Sequence, residues 1–74
     1  MQDWEIMLQE NLDLFQPVKR IYTPEELQKA YFIYNGYYNR NLKDTGCGSC
    51  RRSVIGHLIK IAEDWRNSHP EVNL

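Results

Sequence analysis

TPEELQKAYFIYNGYY, residues 23–38, carries the clearest helix signal in the chain. Thr23 is a typical N-cap, Pro24 occupies the first helical position, and Glu26 stands where it completes a capping box. The side chains on the inward stripe of this helix are Leu27, Ala30, Tyr31, Tyr34 and Tyr38. Because their spacing matches the helical period, the stretch predicts a helix over residues 24–38.

The segments on either side of this stretch show the same helical spacing of apolar residues. In residues 2–16 the stripe consists of Trp4, Met7, Leu8, Leu12 and Phe15, and the segment ends before Pro17. In residues 46–67 the stripe consists of Val54, Leu58, Ile61 and Trp65. Continuing this last stripe backwards reaches Cys50 and Cys47, which predicts that both cysteines lie on the core face.

The three segments predict an all-α fold: a single three-helix domain over residues 1–74, with helices at about 2–16, 24–38 and 46–67. A chain of 74 residues builds a core worth only about 3–5 kcal/mol of net stability. Chains of this size commonly gain the rest from a metal, from disulfides or from self-association, so we expect a homo-oligomer. The hydrophobic content of 42% argues against disorder.

The hydropathy and the charge of the chain indicate its location and its partners. The N-terminal residues lack the pattern of a signal peptide, and no run is long enough to span a membrane. We therefore expect a cytoplasmic protein without a membrane partner, in a reducing compartment where a C-x-x-C pair is rarely a permanent disulfide. Residues 1–35 are net acidic and residues 36–66 net basic. This basic excess is small for phosphate-driven DNA binding, so nucleic acid ranks low as a partner.

The arginines of DTGCGSCRRS, residues 44–53, point to an anion. Arg51 and Arg52 fall in the first turns of the third helix, where positive charge is disfavoured. The glycines leave the backbone N–H groups open to a ligand, and the hydroxyls of Thr45 and Ser49 add donors. The predicted ligand-binding residues are Lys43, Thr45, Gly46, Gly48, Ser49, Arg51, Arg52 and Tyr37, the last as a ring for base stacking. In the alternative interpretation, the arginines pair with acidic residues such as Glu25 or Glu26.

Cys47 and Cys50 admit several chemistries. Besides packed core thiols, they are candidate metal ligands, although His57 lies about 10 Å further along the helix and is too far to complete a site with Cys50. Two chains that each donate both cysteines can form an intermolecular zinc site. A catalytic redox pair is disfavoured because no strand precedes the motif, as it does in thioredoxin-like folds. No catalytic triad or H-E-x-x-H motif is present, so we expect no enzyme and no cofactor other than zinc.

The run YNRNLKDTGCGSCRRSVIGHL resembles short helical proteins of unknown function encoded by tailed phages of gut bacteria. The matching positions are Tyr34, Asn35, Asn41, Thr45, Cys47, Cys50 and Arg51. The resemblance covers about half of the chain. It implies a phage origin, and so a location in the host cytoplasm, but no established activity or binding residue.

Two functions follow from the sequence as hypotheses. The first is a small non-enzymatic binding protein that holds a phosphate-bearing ligand, such as a nucleotide signal, at the glycine-rich start of the third helix. The alternative is a structural or protein-interaction module. In that case the cysteines and tyrosines are core or interface, the arginines reach an acidic protein surface, and the cysteines form the intermolecular zinc site.

Overall fold

A computed structural model of the chain describes residues 2–17 and 21–69. Within these ranges the chain forms three α-helices and one 3-10 turn, and no strand. The elements are α1 (Asp3–Glu10), the 3-10 turn (Leu12–Leu14), α2 (Pro24–Tyr38) and α3 (Gly48–Ser68). The prediction of an all-α, three-helix domain is confirmed. Among the described helices, none has the length and apolarity needed to cross a membrane.

The first helix is shorter than the predicted range of residues 2–16, because it ends at Asn11. The side-chain amide of Asn11 donates to the carbonyl of Met7 at 2.8 Å, and its backbone leaves the helical region with φ −127° and ψ 27°. Asparagine side chains compete with the helix for backbone hydrogen bonds, which favours such an exit. The 3-10 turn that follows directs Leu12 and Phe15 into the core, where Phe15 is fully buried.

The predicted capping box at the start of α2 is confirmed. The Oγ1 of Thr23 accepts a hydrogen bond from the N–H of Glu26 at 3.2 Å, and the carboxylate of Glu26 accepts one from the N–H of Thr23 at 2.8 Å. At the other end, Asn39 takes the left-handed conformation with φ 56°. The N–H groups of Asn39 and Arg40 both donate to the carbonyl of Asn35, which closes the helix in a Schellman-type turn.

Gly36 does not end α2, since the helix continues to Tyr38. The glycine instead makes room for α1: a Cβ at position 36 would overlap the Cβ, Cγ and Cδ1 atoms of Trp4. The close approach of these two helices therefore depends on the missing side chain.

The core lies where all three helices meet. Its buried members are Leu8, Leu12, Phe15, Ala30, Tyr31, Ile33, Val54, Leu58, Ile61 and Ala62. The guanidinium of Arg66 donates to the carbonyl of Leu12 at 2.6 Å, so the end of α3 is tied to the 3-10 turn. On α3 the first buried residue is Val54, six positions after the helix begins. The first turn and a half of α3 thus projects beyond the core.

A loop of nine residues, 39–47, joins α2 to α3, and it turns back along α2. The amide of Asn35 holds this loop with two hydrogen bonds to the backbone of Leu42, donating to its carbonyl at 2.9 Å and accepting from its N–H at 3.0 Å. α3 then begins at Gly48, two residues later than predicted, and extends to Ser68, one residue beyond the predicted end. The projecting start of α3 is therefore placed beside the middle of α2.

Candidate functional site

The two cysteines are not core residues: Cys47 is half-buried and Cys50 is exposed. The prediction that both face the core is wrong. The backward extension of the α3 stripe assumed that other elements cover the whole helix, whereas the first buried residue of α3 is Val54. Cys47 also precedes the helix, as its N-cap, with an extended backbone of φ −72° and ψ 116°.

As the N-cap, Cys47 directs its sulfur back over the first turn of α3. Its Sγ accepts a hydrogen bond from the N–H of Cys50 at 3.3 Å and lies 3.3 Å from the hydroxyl oxygen of Ser49. An anionic sulfur in this position is favoured by the helix dipole. The side chain therefore performs the capping role that serine or aspartate has in most helices.

The hydrogen bonds give the two thiols different pKa values. Hydrogen bonds from the thiol of Cys50 and the hydroxyl of Ser49, together with the backbone N–H of Cys50, lower the pKa of Cys47 from 9.0 to about 7. The pKa of Cys50 is raised, because its thiol proton is engaged with Cys47, because it is partly desolvated, and because Cys47 carries negative charge. Cys47 is therefore the more acidic thiol of the pair.

Arg51 has a partner within the site rather than in the acidic half of the chain. Its Nε and Nη2 donate to the two carboxylate oxygens of Asp44 at 2.8 and 3.0 Å, a bidentate ion pair. Oδ1 of Asp44 also accepts the N–H of Gly46 at 3.0 Å, and Gly46 takes φ 82° to close this turn. These hydrogen bonds from Arg51 and Gly46 lower the pKa of Asp44.

The Asp44 ion pair gives a local reason for an arginine at the positive end of a helix. The carboxylate neutralises the guanidinium, and the sulfur of Cys47 supplies the negative charge that the helix terminus favours. The expected partners Glu25 and Glu26 lie in the first turn of α2, and Glu26 serves its own capping box. Arg52, by contrast, is exposed.

The projecting start of α3 has a cleft on each side. The first, which we call the tyrosine cleft, has a volume of about 510 Å³ and is lined by Tyr31, Tyr34, Leu42, Lys43, Thr45, Ser49, Cys50, Ser53 and Val54. The second, the isoleucine groove, has a volume of about 490 Å³ and is lined by Pro17, Ile21, Tyr22, Leu27, Arg51, Arg52, Ile55, Gly56 and Ile59.

The predicted ligand-binding residues are thereby divided into two groups. Lys43, Thr45 and Ser49 line the tyrosine cleft, whereas Arg51 and Arg52 line the isoleucine groove. Gly46 and Gly48 lie at the helix start between them, and no neighbouring atom lies within 4 Å of a Cβ built on either glycine. A single anion would therefore meet the lysine and the hydroxyls, or the arginines, from different sides of the helix.

Tyr37 is not brought to this region. Its ring packs edge-on against Trp4, with 5.4 Å between centroids, and it lines a separate small cleft with Ile61 and Trp65. The tyrosines beside the predicted residues are Tyr31 and Tyr34. Their spacing of three residues puts them on one face of α2, and Tyr31 is also a buried member of the core, as its place on the helical stripe predicts.

His57 contacts a backbone carbonyl and two tyrosine rings. Its Nδ1 lies 2.7 Å from the carbonyl oxygen of Ser53, and its ring meets Tyr34 and Tyr38 edge-on at 5.8 Å. Across residues 2–17 and 21–69, no group of three or more histidine, cysteine or acidic side chains is arranged to hold a metal ion. Zinc held by Cys47 and Cys50 therefore stays a prediction that needs ligands from a second chain.

The chain was compared with protein-family models, with curated proteins and with solved structures, and none of them matches it.

Proposed function

We propose that the chain is a small non-enzymatic binding protein that holds a phosphate-bearing small molecule in the tyrosine cleft. One observation carries the proposal: a cation, hydroxyl groups and aromatic rings converge on one cleft at the start of a long helix. Lys43 supplies the cation, Thr45 and Ser49 supply hydroxyls, and Tyr34 supplies a half-buried ring. The volume of about 510 Å³ falls within the range of small-molecule sites.

The two ends of such a ligand have separate environments. The phosphate would accept hydrogen bonds from the ammonium group of Lys43 and from the hydroxyls of Thr45 and Ser49. A base would stack near Tyr34, a contact worth about 1–3 kcal/mol. Tyr31 is only 7% exposed, and desolvation raises the pKa of its hydroxyl, which therefore keeps its proton as a donor. The Asp44–Arg51 ion pair contributes indirectly, by holding the loop that carries Lys43.

Calorimetric titration with mononucleotides, cyclic nucleotides and inorganic phosphate tests this proposal. The resemblance to phage proteins makes nucleotide signals of a bacterial host the first ligands to try. We expect Lys43→Ala to weaken binding about tenfold, since it removes one charge-assisted hydrogen bond. Lys60→Ala is the matched control, because Lys60 is an exposed lysine of α3 that does not line this cleft. Absence of binding for every nucleotide and for phosphate would refute the proposal.

A second variant separates base recognition from phosphate recognition. Tyr34→Leu keeps an apolar side chain on α2 but removes the ring, and we expect it to weaken nucleotide binding at least fivefold. The same change should leave the affinity for inorganic phosphate unaltered. An equal loss for both ligands would mean that Tyr34 supports the cleft rather than the base.

The isoleucine groove favours the alternative function, a protein-interaction module. Ile21 is 83% exposed, and Arg51 and Arg52 line the same groove. Exposed apolar surface bordered by positive charge suits an acidic, amphipathic protein segment.

Binding of a synthetic helix with one leucine face and one glutamate face is the assay. Ile21→Gln and Arg52→Gln should each weaken it, and a helix with lysine in place of glutamate should not bind. The mass of the protein in solution tests self-association at this surface.

A further inference from the structure

We propose that Cys47 and Cys50 form a redox-active dithiol, which reduces disulfides by thiol–disulfide exchange and becomes an intramolecular disulfide. This activity is separate from the ligand proposed above and does not depend on it. The class of substrate is a disulfide, of a small thiol such as glutathione or of a protein.

The geometry of the two cysteines favours an internal disulfide. The sulfur of Cys47 lies 3.3 Å from the backbone nitrogen of Cys50, and the two residues are separated by one turn at the start of α3. A disulfide requires Cβ atoms about 3.5–4.5 Å apart. The sulfur of Cys47 is already directed at the backbone of Cys50, so we infer that rotation of the two side chains with a small shift of the N-cap residue closes the bond. A Cβ at position 48, between the two cysteines, would have no neighbouring atom within 4 Å, so no other segment is packed against this point of the chain.

The two sulfurs have different surroundings and therefore different roles. Cys47 accepts hydrogen bonds from the N–H of Cys50 and from Ser49, and the terminus of a 21-residue helix favours its anion. It is therefore the nucleophile, and its lowered pKa is consistent with that role. Cys50 is exposed and lies one turn away, where it can resolve a mixed disulfide. Helix-terminal C-x-x-C pairs owe their reactivity to this arrangement.

In the part of the chain that the structure describes, no strand precedes the two cysteines, as one does in thioredoxin-like folds. The structure shows that the hydrogen bonds to Cys47 come from the start of α3 itself and from Ser49. A strand is not needed to create them. The projection of the first turn beyond the core leaves the pair accessible, whereas packed core thiols would not be.

The reaction balances as two exchanges. The thiolate of Cys47 attacks one sulfur of a disulfide RSSR, forming a mixed disulfide and releasing RS⁻, which takes up a proton. Cys50 then loses its proton, and its sulfur attacks Cys47 in the mixed disulfide, which releases the second RS⁻. The chain loses two hydrogen atoms and is oxidised, and one RSSR is reduced to two RSH.

The experiment uses the whole chain in oxygen-free glutathione buffers at pH 7, with a chelator to exclude metal. Samples are quenched with acid, alkylated and weighed by mass spectrometry. We expect the wild type to convert from two alkylated thiols to none as the fraction of glutathione disulfide rises, at the mass of a single chain. Failure to form this internal disulfide at any glutathione ratio, or formation only of disulfide-linked dimers, would overturn the proposal.

Two serine variants test the roles of the sulfurs. Both are expected to fold, because serine is a good N-cap at position 47 and position 50 is exposed. Cys50→Ser should accumulate one glutathione adduct on Cys47, and Cys47→Ser should form its adduct more slowly. The hydrogen bonds from Ser49 and from the N–H of residue 50 stabilise the thiolate of Cys47. Even allowing for the lower nucleophilicity of the more acidic thiolate, we therefore expect the adduct to form several-fold faster on Cys47 than on Cys50. Equal rates in the two variants would refute the assignment of Cys47 as nucleophile.

Discussion

Two glycines in helices give opposite predictions for the same substitution. Gly36 lies in α2 and Gly56 in α3, both in helical backbone. A Cβ at position 56 would have no neighbouring atom within 4 Å, whereas one at position 36 would overlap Trp4. We therefore expect Gly56→Ala to stabilise the protein and Gly36→Ala to destabilise it.

The magnitudes follow from two opposing effects. Alanine in place of glycine inside a helix stabilises by about 1 kcal/mol, and both variants gain this. At position 36 the added methyl also meets the Cβ and Cγ of Trp4, atoms next to the backbone that rotation of the ring cannot move away. Relief requires α1 to shift against α2, and overpacking of this kind costs about 1–3 kcal/mol, here towards the upper end. The net loss for Gly36→Ala is about 1–2 kcal/mol, and the two variants differ by about 2–3 kcal/mol.

Urea unfolding followed by tryptophan fluorescence and by circular dichroism measures this difference. The slope of free energy against urea should be the same for both variants, so that the change lies in the midpoint. Gly56→Ala also serves as the control for helix propensity. If Gly36→Ala proved as stable as Gly56→Ala, the close packing of α1 on α2 at Trp4 would be wrong.

Three further predictions concern the site and the core. The rate of Cys47 alkylation by iodoacetamide should rise through about pH 7 in Cys50→Ser but at higher pH in Cys50→Ala, because alanine cannot donate the hydrogen bond that lowers the pKa; identical profiles would contradict this. Asp44→Asn should lower stability at pH 7. The folded-state pKa of Asp44 is depressed below 3.8, so the carboxylate stabilises above that pH and the difference from wild type should vanish as the pH falls through the folded value. Asp64→Asn is its matched control. Leu58→Ala, at a fully buried position, should cost about 2–5 kcal/mol in urea unfolding, enough to unfold a core of this size. A cost below 1 kcal/mol would show that Leu58 is not central to the core.

The ligand and redox proposals meet at Cys50, which lines the tyrosine cleft and belongs to the dithiol. Their tests are nevertheless independent, because nucleotide binding can be measured on Cys47→Ser, which cannot form the internal disulfide. Should oxidised wild type bind nucleotide differently from reduced wild type, the cleft would respond to the redox state of the pair. That comparison is informative only after each proposal has passed its own test.

The sequence by itself determined the elements whose signals are local. The capping box at Thr23 and the helical stripes of α2 and α3 concern residues within a few positions of one another, and each was predicted with the observed type and nearly the observed bounds. The end of α1 was missed although its signal is also local, because an asparagine within a helical stripe can either face solvent or, as Asn11 does, bond to the carbonyl of Met7.

Only the tertiary structure decided what surrounds the candidate site. A helical stripe shows which side chains share a face, but whether that face is covered depends on where other elements end. Cys50 shares the face of Val54, yet α1 and α2 cover Val54 and leave Cys50 exposed. In the same way, the charge of Arg51 looked unbalanced in the sequence until the turn at Gly46 brought Asp44 within 2.8 Å of it. Solvent exposure and ion pairing depend on contacts between segments, and the spacing of residues along one helix does not determine those contacts.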